Sequence, residues 1–127
     1  MLPTRNEFKR RYGDQPDESL DMLDEVRDLP ARDCVLACVG SIDKALHQLF
    51  RPDDSRRGIP DGMLQVIASL RAIEAHFRHN CDAAFDAPGL PSLPLPGPPQ
   101  RQVEGQDRFV IASILLHARL IALIHET

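Results

Sequence analysis

Six prolines crowd into the twelve residues from Pro88 to Pro99. Proline lacks a backbone donor and clashes with the preceding turn, so neither an α-helix nor a central strand passes through this segment. It separates a run of helical patterns from one final apolar stretch. Such a composition favours extended polyproline II at ~3.1 Å per residue, so the segment can span roughly 37 Å. The helix expected before it is about 36 Å long. The last helix is therefore free to run parallel to that helix, whereas a short loop would force an antiparallel hairpin.

The remaining patterns are helical. Residues 1–13 form a basic arm, with Arg5, Lys9, Arg10 and Arg11 against Glu7, and residues 14–127 form one helical domain. Acids dominate from Asp14 to Asp28, while Leu20, Leu23, Val26 and Leu29 recur every three residues, which predicts a short amphipathic helix capped by Asp17. Pro30 ends it and suits the first turn of a second helix that runs to about Phe50. A third helix, carrying Met63, Ile67, Leu70, Ile73 and Phe77, is expected from Pro60 to about Phe85. A fourth, from Gln106 to about His125, is apolar around most of its circumference, the pattern of a helix buried on nearly all sides. The reading is an all-α, four-helix bundle-like single domain, with the proline-rich connection at 88–99 before the last helix.

Composition limits what such a domain meets. With 15 Lys+Arg against 19 Asp+Glu the net charge is −4, which argues against nucleic acid or an anionic membrane as a partner. The apolar stretch Phe109 to Ile124 falls short of the ~20 residues of a membrane span and is interrupted by Ser113, His117 and Arg119, so no membrane association is expected. No apolar run follows the N-terminal basic residues. Cys34, Cys38 and Cys81 make an odd count without a CxxC pair, so a cytoplasmic protein is expected.

Two good amphipathic helices and one short one cover about two faces of the last helix. A second subunit is the economical cover for the third face, since exposed apolar patches of that size mark interaction sites. A homodimer is therefore expected, with Leu116, Leu120, Leu123 and Ile124 at the interface. The competing cover is the arm, or the proline-rich segment folding back through Leu90, Leu93 and Leu95.

Candidate chemistry is sparse. Cys34 and Cys38 lie four apart, His76 and His79 three apart, spacings that place each pair on one helix face and could hold a soft metal such as zinc. The bland reading, core cysteines and solvent-facing histidines, is preferred, so no cofactor is expected. Two further spacings, Arg71 to His76 and Arg119 to His125, look like the short R-x4-6-H signature of the HEPN family. That resemblance implies an all-α, dimeric, metal-independent ribonuclease, with Arg71 holding a scissile phosphate and His76 moving protons. On a regular helix those partners lie about 140° and 120° apart, so a second subunit or a local break is needed to bring them together. Pro88-x-x-Pro91 and Pro91-x-x-Pro94 match the spacing read by polyproline-binding grooves, though a spacer role is preferred. The basic arm is expected to neutralise the acidic segment beside it. Signatures for nucleotide hydrolysis, dinucleotide binding, zinc proteolysis and the serine-hydrolase elbow are absent. The expected function is a small non-enzymatic helical protein-interaction module, regulatory or adaptor in kind, with another protein as partner.

Overall fold

The computed structural model describes residues 2–50, 58–80, 84–85, 89–96, 103 and 105–126. Among these it holds five α-helices and no strand: α1 (Arg5–Tyr12), α2 (Asp17–Val26), α3 (Ala31–Leu49), α4 (Asp61–His79) and α5 (Gly105–His125). The all-α, bundle-like architecture expected from the periodicities is the observed one, with the basic arm supplying the additional helix.

Prolines start three of the helices. Pro16, Pro30 and Pro60 are the N-caps of α2, α3 and α4, each in extended conformation. Their carbonyls accept the N–H of Leu20 (3.2 Å), Cys34 (2.8 Å) and Leu64 (3.1 Å), the first helical bonds of each element. Proline at this position presets the backbone without removing a helical donor. An acid in each first turn, Asp17, Asp33 or Asp61, then complements the helix dipole. Asp17 is thus the first residue of α2 rather than its cap, and no side chain caps that helix.

The arm is docked on the body. Thr4 Oγ1 accepts the N–H of Glu7 at 3.2 Å and starts α1. Phe8 is fully buried, with its ring 4.9 Å from that of Tyr12. Arg5 donates to Asp21 at 2.8 Å and Asp24 at 2.7 Å, so its guanidinium is held even more firmly protonated by those two hydrogen bonds. Arg27 donates to the Pro3 carbonyl at 3.0 Å. The expected neutralisation of basic arm by acidic segment runs through Arg5.

The helix before the proline-rich segment is shorter than its pattern predicts. α4 ends at His79, Asn80 is extended, and Phe85 lies in a turn. The physical reason is aromatic packing: the Phe85 ring sits 4.7 Å from Phe77 and 5.9 Å from Phe109, which requires the chain to turn back from α4 towards α5.

Directions follow from the contacts between helices. Ser19 meets His117, and Gln106 donates to the Leu29 carbonyl at 3.2 Å, so α2 runs antiparallel to α5. Arg71 meets Asp43, pairing the middle of α4 with that of α3. The start of α4 (Gly62, Val66) lies near the second half of α5, and its end reaches Phe109 through Phe85. α4 and α5 are therefore antiparallel, and the reach of the proline-rich segment is not used to make them parallel. Residues 89–96 of that segment lie along the body instead. Leu93 is buried, Leu90 and Leu95 pack against the core, and Arg108 donates to the carbonyls of Leu93 and Val103.

α5 is the central element. It packs most extensively on α3 and also contacts α2 and α4. It is long and apolar enough to cross a membrane, longer than the stretch read from sequence, but 61% of its most apolar window is buried inside the fold. One continuous core runs from Phe8 through Leu20, Val35, Leu70 and Leu93 to Leu120.

Candidate functional site

Among the described residues, two concave sites flank α5. The first, about 660 Å³, opens where the N-terminal half of α4 diverges from the C-terminal half of α5. Its floor is Ala112, Leu116 and Ala118, its walls are Gly62 and Val66 on α4 and Pro94 to Pro96 of the connection, and Leu115 and Ala122 extend it along α5. Small residues on α5 and the missing side chain of Gly62 keep this space open, while the prolines hold the opposite wall extended. Asp14 and Arg119 stand exposed at the rim. Neither has an ion-pair partner among the described residues. The groove is thus an apolar trough with one charge of each sign at its mouth.

The second site, about 470 Å³, lies between α2, α3 and α5. At its floor is His117, only 7% exposed, whose Nδ1 is 2.8 Å from the Oγ of fully buried Ser19. Burial pushes the His117 pKa down, with Glu18 partly opposing it, so the ring is neutral near pH 7.

The two cysteines of α3 form a third feature. Cys34 and Cys38 are both free and fully buried, facing the start of α5. They share a hydrogen bond that favours ionisation of Cys34, to which Gln106 contributes, and that raises Cys38 well above the ordinary thiol range together with its burial. His79 is exposed at the far end of α4, and among the described residues no group of three His, Cys, Asp or Glu side chains could hold a metal. The set Cys34, Cys38, His76 and His79 is not brought together; Cys81 lies outside the described residues, as does Pro88 of the first polyproline match.

The members of each Arg–His pair lie in different surroundings. Arg71 is held by Asp43 at 2.8 Å on the exposed side of α4, while His76 is half-buried with Nε2 enclosed and unpartnered among the described residues. Arg119 lines the apolar groove and His125 lines the other pocket, on different sides of α5. Neither groove is lined by both members of a pair.

The four residues expected at a dimer interface divide. Leu116 and Leu120 are 2% and 0% exposed and belong to the chain's own core, whereas Leu123 and Ile124 are half-exposed. α2, α3 and α4 pack on α5, and Leu93 of the folded-back connection is buried. Neither groove was anticipated. For the second site the available signal was His117, a polar residue in the most apolar helix. Comparison with known protein families, curated proteins and solved structures finds no match to this chain.

Proposed function

We propose that this protein is a non-enzymatic interaction module that receives an apolar helical segment of another protein in the groove between α4 and α5. The observation that carries this reading is the groove itself. Docking of an amphipathic helix needs a preformed hydrophobic trough with a polar rim, and a trough of about 660 Å³ lined by Val66, Leu115, Leu116 and Pro94 to Pro96 has that character. Arg119 at the rim favours a partner with an acid beside its apolar anchors. Neither groove is lined by both members of an Arg–His pair, so neither lends support to a ribonuclease built from one chain.

The test uses the groove mouth. Ala122 is exposed and lines the groove, so Ala122→Arg fills it without entering the core. Proteins that co-purify with the native chain should be lost from Ala122→Arg and kept by Gln65→Arg, on exposed surface outside the groove, with both variants unfolding at the native temperature. A partner that binds both variants equally would sink the proposal. RNA cleavage without added metal, abolished by Arg71→Ala or His76→Ala, would replace it with the ribonuclease reading.

A further inference from the structure

The pocket between α2, α3 and α5 holds opposed charges around a buried donor, and nothing in the interaction reading uses it. Glu18 and Glu25 of α2 stand on one wall and Lys44 of α3 on another. None of the three has an ion-pair or hydrogen-bond partner among the described residues. Asp21, also on the α2 wall, is already taken by Arg5 at 2.8 Å. Ile121 and Ile124 of α5 supply an apolar side.

His117 supplies the second observation. More than nine-tenths of it is buried, its Nδ1 is engaged by Ser19, and no described residue bonds its Nε2. His117 lines the pocket, so the free edge of its ring borders that space. The Ser19 hydroxyl decides the tautomer. Ser19 Oγ has no other partner among the described residues. Were Nδ1 the donor, a fully buried hydroxyl proton would have nowhere to go. Ser19 therefore donates to Nδ1, and the imidazole offers Nε2–H to the pocket. A carboxylate suits that donor and Lys44; an ammonium suits Glu18 and Glu25.

We propose that this pocket binds a small zwitterion of the α-amino acid class, its carboxylate received by His117 Nε2–H and Lys44, its ammonium by Glu18 and Glu25, and an aliphatic side chain by Ile121 and Ile124. The arrangement discriminates by charge pattern: a ligand with one of the two charges leaves the opposite wall unpaired. The site is independent of the groove between α4 and α5, so loss of partner docking leaves it intact.

The experiment is a titration of the full chain with L-leucine, followed through the His117 ring signals by NMR and by calorimetry. Two half-probes, 4-methylpentanoate and 3-methylbutylamine, present one charge each. L-leucine should move the His117 signals saturably and leave those of exposed His79 in place, and each half-probe should bind at least about tenfold more weakly. Lys44→Met and the double variant Glu18→Gln, Glu25→Gln change exposed residues. Each should lose at least about tenfold in affinity while unfolding at the native temperature. Absence of a saturable shift up to about 10 mM L-leucine overturns the proposal. So does an amine that binds as tightly as the zwitterion, which would leave only an acidic wall, or affinity that neither variant changes.

Discussion

The Ser19–His117 contact joins residues 98 positions apart and sets the electrostatics of the interior between α2 and α5. Burial holds the His117 pKa below its ordinary 6.5. Below the ordinary value the unfolded chain takes up a proton that the folded chain resists. The stability that goes with a neutral His117 is therefore present above that pH and lost as pH falls, levelling off below the folded-state pKa. The charged groups around it are Glu18, Asp21 and Glu25 on α2, Lys44 on α3 and His125 on α5. The urea midpoint should fall between about pH 7.5 and about pH 5.5, and His117→Gln should flatten that slope. An equal slope in both proteins would mean that His117 titrates as if in water. The sequence marked His117 only as an interruption in an apolar run. Its partner could not be read there, because a contact across 98 residues depends on the direction of α2 against α5. Cys34 and Cys38 were legible as core residues, since both fall on the apolar stripe of α3.

At the scale of elements, helix positions followed from periodicity and proline placement, and the errors lie at ends. α4 stops six residues short of Phe85 because the Phe77–Phe85–Phe109 stack turns the chain. No local pattern encodes that stack. The arm shows the opposite case: its single buried aromatic, Phe8, was legible as apolar but its weight was not. α1 is only eight residues long, too short to be helical alone, so burial of Phe8 must hold it. Phe8→Ala should destabilise the fold by about 3 kcal/mol and reduce helical circular dichroism. Arg5→Ala should matter much less, because its pairs with Asp21 and Asp24 are solvent-screened. If the two substitutions were equally damaging, the ion pairs rather than the ring would anchor α1.

For the whole molecule, the question is what covers α5. Its all-round apolarity was plain in the sequence and led to a second subunit; the folded-back connection was the competing account because Leu93 alone could not announce whether it is buried. With Leu116 at 2% exposure and Leu123 half-exposed, the two positions should behave differently. Leu116→Glu should cost more than about 3 kcal/mol and unfold the chain, since it forces a charge into the core. Leu123→Glu should stay folded, and light scattering on it reports self-association directly. A native mass of two chains that Leu123→Glu returns to one would place a subunit interface at the end of α5. The same mass halved by Ala122→Arg alone would make a second copy the occupant of the groove. The order of the elements has a kinetic consequence as well. The helix against which α2, α3 and α4 all pack is made after them, at the end of the proline-rich tether. During synthesis those three helices hold unsatisfied apolar faces until α5 emerges. The tether then acts as a local concentrator, turning a bimolecular capture into an intramolecular one. Residues 1–96 and a separate α5 peptide should therefore reconstitute the fold only when mixed at high concentration. This chain is a natural candidate for splitting into complementing halves.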